Sequence, residues 1–269
     1  MESKNTCIED LYFLELTDDF VVVNDRYQGL LVMDCTMQIV KKIFIMDDLL
    51  IDSAITHENK LILFCYDNEC IVFVNLEDDD KPVLRIEMTV DGYFLPLFIW
   101  EKESVLLCVG QGTQLVRIDL QNALMYEVKE GNSQLSSDVN EVSRMKVYRF
   151  YPNSHQVLAN RDGNVCIFNY RTNECKELGI NIVDNDEGVP SYMLYHATES
   201  VEDVLIRISE MRVNVLTANK SLFIYPHKEI FRFICGRATV VDGKKTLYIL
   251  SYDNSSEEPT ILSRFVIDF

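Results

Sequence analysis

One unit recurs along this chain, and it limits what the chain can fold into more than any other feature. The unit is an apolar strand, a polar turn and a second apolar strand. It reads DFVVVND-RYQ-GLLVMD from Asp19, KLILFC-YDNE-CIVFVN from Lys60 and VLLCVG-QGT-QLVRID from Val105. It returns as QVLANRDGNVCIFN from Gln156, VNVLTANKSLFIY from Val213 and KTLYILS-YDNSSEEP-TILSRFVIDF from Lys245. Val, Ile, Phe and Tyr fill the runs, and Asp, Asn and Gly divide them, which is a strand pattern and not a helical one.

The anchors Phe20, Leu61, Val105, Val157, Val213 and Thr246 recur 33 to 56 residues apart. The two longest intervals each hold a polar insertion, 129–143 and 181–190. Each unit has a strand before it and usually one after, such as 51–56 and 83–90 in the second unit and 146–151 and 175–178 in the fourth. Four strands in about 40 to 45 residues is the arithmetic of a propeller blade. A twisted four-stranded sheet cannot cover both of its faces, and stacking with neighbours covers them, so inner strands can be apolar on both sides.

The expectation is an all-β chain with a single domain over 1–269, a β-propeller of about six four-stranded antiparallel blades. Strand-like runs near Met193 and Leu205 leave room for a seventh, partial blade. A five-bladed ring and a β-sandwich are the alternatives. The last unit ends at Phe269 without an outer strand. Residues near Thr6 to Asp10 are expected to supply it, so that N- and C-terminal strands pair and close the ring without exposed edges. The pattern resembles the β-propeller class, and its spacing is similar to that of WD-repeat proteins. It has no Trp-Asp dipeptide, since Trp100 precedes Glu101, and no Kelch-type double glycine. The resemblance therefore implies an architecture and no site residues.

Charge bounds the function. The chain has 43 acidic and 25 basic side chains, a formal charge of -18. That repels nucleic acid and anionic membrane surfaces and favours a basic protein partner. The plain alternative is solubility. Met1-Glu2-Ser3-Lys4-Asn5-Thr6 does not read as a signal peptide. The longest uncharged stretch, Ser104 to Val116, has 13 residues, too few to span a bilayer. Eight scattered cysteines suit a reducing compartment, so the expected location is cytoplasmic. Cys65 and Cys70 flank a four-residue turn and face each other across a hairpin, where a disulfide is one reading.

Nothing in the sequence assigns a catalytic, metal or cofactor residue. No C-x-x-C pair is present, and His57, His155, His196 and His227 lie far apart. Gly110-Gln111-Gly112 reads as a hairpin turn. The runs Asp18-Asp19, Asp47-Asp48 and Asp78-Asp79-Asp80 lack the spacing of a calcium loop.

Blade topology adds one inference. The turns joining second and third strands share a face with the connections between blades. That face would gather Asp25, Arg26, Tyr27, Asp47, Asp48, Tyr66, Asp67, Asn68, Glu69, Arg161, Asp162, Asp184, Asp186, Glu187, Asn219 and Asp253. The expected function is therefore a non-enzymatic binding protein, monomeric apart from its partner. Its acidic loop face would dock a basic protein, with Tyr27 and Tyr66 as anchors. A dedicated inhibitor or immunity-type protein is one version. The alternative is a hydrolase or lyase acting at the central channel.

Overall fold

Apolar runs that are buried on both faces need a sheet on each side, and the structure meets that need with sheets of four strands. The computed structural model describes residues 2–90, 94–101, 104–109, 114–128, 142, 145–151, 155–161, 164–178, 191–195, 204–217, 220–226, 229, 231–253, 255 and 259–267. Chain order begins with β1 (Glu2–Ile8). The first complete sheet follows: β2 (Leu14–Leu16), β3 (Val21–Asp25), β4 (Gly29–Met33) and β5 (Ile39–Phe44). The second is β6 (Ser53–His57), β7 (Lys60–Cys65), β8 (Cys70–Asn75) and β9 (Val83–Glu87). The third is β10 (Phe94–Glu101), β11 (Ser104–Val109), β12 (Gln114–Asp119) and β13 (Leu124–Glu127). The fourth is β14 (Lys146–Tyr151), β15 (Gln156–Arg161), β16 (Asn164–Asn169) and β17 (Glu174–Glu177). The fifth is β18 (Ser191–Tyr195), β19 (Val204–Ser209), β20 (Arg212–Leu216) and β21 (Ser221–Ile224). The last holds β22 (Phe231–Val241), β23 (Lys244–Asp253) and β24 (Thr260–Ile267), with β1 as its fourth strand.

All pairings between strands are antiparallel, and each sheet except the last is a meander of consecutive strands, the blade pattern of the β-propeller class. The two ends of the chain share one sheet. Glu2 pairs with Val266 and Ile8 with Thr260 in an unbroken register. The N-terminal strand was expected near Thr6 to Asp10; it lies a few residues earlier. The fifth unit is displaced by one strand. Its central hairpin is β19–β20, and the run read from Val213 supplies the third and fourth strands. The runs near Met193 and Leu205 are β18 and β19 of that sheet, so they do not start a seventh blade. Among the described residues there are six four-stranded sheets. The insertions 129–143 and 181–190 lie outside the described residues, apart from Val142.

The chain divides into two compact units, Met1–Asp48 with Leu178–Phe269, and Leu49–Glu177. In the first, Leu14, Val21, Val23, Leu31 and Met33 pack against Tyr248, Leu250 and Leu262. The other side of the last sheet packs Leu247 and Ile249 against Val204, Ile206 and Val215 of the fifth. In the second unit, Ile55, Ile62, Phe64 and Ile71 pack against Val105, Val116 and Ile118. Leu106 and Leu115 pack against Val157, Ala159 and Phe168. Burying successive residues such as Val21, Val22 and Val23 takes both faces of a strand out of water. Outer strands are more exposed, as in β17, where all four residues are solvated.

Gly29 is needed where β4 meets β5, because a Cβ there would sit 2.0 Å from the carbonyl oxygen of Ile43.

The aspartate runs and third-strand ends form turns. Asp34 Oδ1 accepts from Thr36 N (2.8 Å), Thr36 Oγ1 (2.7 Å) and Gln38 N (3.0 Å), which holds its carboxyl below the usual range. Asp78 Oδ1 accepts from Asp80 N and Lys81 N at 3.0 and 2.9 Å. Such bonds replace ladder partners where the chain reverses.

Cys65 and Cys70 are directly opposed in the register and fully buried, and both are free thiols. The Cys65 thiol bonds to Cys70 and, with Arg85 beside it, lowers Cys70 to about 7, while Cys65 is pushed up. Because Cys70 is the depressed member, its stabilising contribution is present above the ordinary thiol range and is lost as pH falls through about 7. Ultraviolet thiolate absorbance should therefore rise with a midpoint near 7 in the folded chain. Cys65→Ala should move that midpoint up toward the ordinary thiol range of about 8.5. An unchanged midpoint in the variant would show that Cys65 does not set it.

Candidate functional site

With β1 ending at Ile8, the segment Glu9 to Phe13 connects the last sheet to the first. The turn Arg26 to Gln28 joins β3 to β4 at the same end of these sheets. A single side chain ties the two. Asn24, fully buried, accepts from Tyr12 N and Phe13 N with Oδ1, both at 2.9 Å. Its Nδ2 donates to the carbonyls of Asp10 (2.7 Å) and Arg26 (2.8 Å). Thr260 fixes the other flank: its Oγ1 accepts from Leu11 N at 3.0 Å and donates to the carbonyl of Ile8. Asp10 and Arg26 hold φ of 55° and 51°, in the left-handed region that favours glycine. The hydrogen bonds of Asn24 fix their carbonyls there.

These segments enclose a groove of about 860 Å³, lined by Cys7, Glu9, Asp10, Leu11, Tyr12, Tyr27, Ile234, Tyr252, Asp253, Pro259 and Thr260. Tyr12 and Tyr27 stack with ring centroids 5.5 Å apart and planes at 17°. Tyr27 is 45% exposed, and Ile234 also reaches solvent. Three carboxylates line the groove, and among the described residues that line it there is no lysine, arginine or histidine. Glu9 is ion-paired to Arg26. Asp253 is only 2% exposed, and its carboxylate accepts from Ser255 N (2.8 Å) and Oγ (2.7 Å), so it shapes the wall and is not a surface contact.

The opposite end of the same sheets carries a smaller cavity of about 210 Å³, lined by Thr17 to Val21, Cys35, Thr239 to Asp242 and Tyr248. The Tyr248 hydroxyl donates to the carbonyl of Cys35 at 2.6 Å there, and burial raises its pKa.

The residues proposed from sequence fall into three groups. In the first unit, Asp25, Arg26, Tyr27, Asp47 and Asp48 lie at the groove end. Gln28 Nε2 donates to Asp47 Oδ1 at 3.0 Å, and the Gln28 carbonyl accepts from Ile45 N and Met46 N at 2.9 and 3.2 Å. Asp25 lies 3.7 Å from Lys42. In the second unit the same kind of tie recurs: Asn68 Oδ1 accepts from Leu50 N (2.9 Å), and Asp52 Oδ2 from Tyr66 N (2.8 Å). Tyr66, Asp67, Asn68 and Glu69 form the β7–β8 turn, with Tyr66 stacked on Phe64 at 6.3 Å. Arg161 ends β15, its guanidinium 6.0 Å from the Phe168 ring. Asp162, Asp184, Asp186, Glu187 and Asn219 lie outside the described residues.

Sequence reasoning missed Glu9, Asp10, Tyr12 and Tyr252. Placing the N-terminal strand at Thr6 to Asp10 hid the first two inside a strand. The signal was available, because any segment between an outer and an inner strand belongs to the same face as Tyr27.

No protein-family model matches the chain, and no curated protein matches it. Solved structures do resemble it. The N-terminal domain of Nup159 is 14% identical, over 96% of this chain and 76% of that one, with a TM-score of 0.44. YCF48 bound to D1 peptide is 10% identical, over 99% and 95%, with a TM-score of 0.45. KlHsv2 with loop 6CD replaced by a Gly-Ser linker is 10% identical, over 97% and 98%, with a TM-score of 0.47. The fold assignment above rests on the strand order and register of this chain.

Proposed function

We propose that this chain is a non-catalytic protein-binding propeller that docks a basic partner on the face carrying the groove. The observation that carries the reading is the groove itself: open, walled by three tyrosines and three carboxylates, with no cationic side chain among the described residues that line it. Aromatic rings supply contact area at low entropic cost, and the negative potential steers a positive partner and rejects acidic ones. Asn24 holds the connection and the turn in place before binding, which lowers the ordering cost. A dedicated inhibitor or immunity-type protein covering the active site of a basic toxin is the more specific form of this reading. The free thiols of the described cysteines suit a cytoplasmic setting.

The test is affinity capture from native lysate, at low and then high salt, with the wild-type chain beside the double variant Asp10→Asn/Tyr27→Ala. A basic protein held by the wild type and lost from the variant supports the reading. The same proteins held equally by both, or none held by either, would overturn it.

A further inference from the structure

Among the three groove carboxylates, the charges are not equivalent. Arg26 already pairs with Glu9, and Asp253 is buried on Ser255. Asp10 is exposed, and its carboxylate has no cationic partner among the described residues. It stands beside the stacked Tyr12–Tyr27 pair in the same groove. An unmatched carboxylate next to an exposed aromatic face is suited to a planar cation. A guanidinium stacks on the ring and offers a fork of N–H donors to the carboxylate, whereas an ammonium is a compact, strongly hydrated charge. The volume of about 860 Å³ exceeds one side chain and fits a short stretch of peptide.

We propose that this groove seats an arginine carried on a flexible segment of the partner, stacked on Tyr27 and paired with Asp10. The inference rests on the basic-partner reading and goes further, naming the side chain and the two residues that read it. Glu9 stays with Arg26 and keeps the turn in place. Ile234 and Pro259 contact the residues flanking the arginine.

The experiment uses three fluorescein-labelled octapeptides, rich in arginine, in lysine of equal charge, and in citrulline, titrated against the full chain by anisotropy. The arginine peptide should bind about 10-fold more tightly than the lysine peptide, and the citrulline peptide should lose binding. Asp10→Asn keeps a residue that tolerates the φ of 55°, and Tyr27→Ala removes a half-exposed ring, so both should fold. Each should weaken the arginine peptide about 10-fold. Asp80→Asn, an equal loss of charge in the β8–β9 turn, should leave the affinity unchanged. Equal binding of the arginine and lysine peptides, with Asp10→Asn no worse than Asp80→Asn, would overturn the arginine site and leave the acidic-face reading standing. No binding by either cationic peptide would overturn both.

Discussion

Arg237→Ala is expected to lower the stability of the chain by about 3–5 kcal/mol, the cost typical of leaving one member of a buried ion pair alone. Arg237 lies on β22 and Glu15 on β2, the first strands of the last and first sheets. The contact is a fork: Nε to Oε1 at 2.8 Å and Nη2 to Oε2 at 3.0 Å. Both side chains are largely buried, at 18% and 10% exposure, so water cannot replace the lost partner well. Arg237 also donates to the carbonyl of Gly236 at 2.9 Å, and Glu15 Oε1 accepts from Leu16 N at 3.2 Å. Against a total stability of about 5–15 kcal/mol, the loss is large. Urea denaturation of wild type and variant measures it. The double replacement Glu15→Met/Arg237→Leu should recover most of the loss, because an apolar pair of similar volume removes the stranded charge. A single variant within about 0.5 kcal/mol of wild type would show that the pair is effectively solvated.

Asn24→Ala should cost about 2–4 kcal/mol and should abolish binding in the groove as well. An amide side chain has two acceptor positions and two donor hydrogens, and Asn24 uses all four. Alanine strands two N–H groups and two carbonyls at once, those of Tyr12, Phe13, Asp10 and Arg26. Some will find water at the loop surface, which keeps the cost below four full penalties. Asn24→Asp is a sharper probe. It keeps the shape and both acceptor bonds but turns the donors toward Asp10 and Arg26 into a buried anion facing two carbonyls. It should also destabilise, and peptide affinity should fall in parallel. Thermal unfolding and anisotropy on the same samples check the two effects together. A stable Asn24→Ala variant with unchanged peptide affinity would show that the groove is not organised by this residue.

Much of the fold was legible because burial on two faces writes long apolar runs. The central hairpin of the second repeat matches to the residue: Lys60–Cys65 and Cys70–Asn75 are the observed β7 and β8, while its flanking strands are Ser53–His57 and Val83–Glu87. The fifth sheet was displaced by one strand, for a physical reason. Every adjacent pair in an antiparallel meander reads as strand, turn, strand, so the pattern alone does not say which pair is central. Arg207 lies within β19 and is buried there.

A second signal would have fixed the register. The third strands of the first four sheets are each closed by Asp34, Asn75, Asp119 or Asn169, whose side-chain oxygens accept backbone N–H groups of the next turn. In the fifth sheet Thr217 has this place, with Oγ1 accepting from Lys220 N at 3.0 Å. Aligning those capping residues puts β20 third.

The groove was only half legible. Tyr27 and Asp253 follow from loop geometry, but Asp10 and Tyr12 depend on where β1 ends. That is fixed by its pairing with β24, a contact some 250 residues distant in sequence. Burial of Asp253 was also hidden, since an aspartate at a predicted turn reads as solvated until its strand is seen to continue through it.

The partner is expected to meet the face bearing the groove. Hydrogen-exchange footprinting of the complex with the retained basic protein tests it most directly, because the two ends of the first and last sheets give separate peptides. Slowed exchange is expected at 9–13, 26–28, 252–253 and 259–260, with 17–20, 34–38 and 241–244 at the opposite end unchanged. Protection confined to 17–20, 34–38 and 241–244 would contradict it.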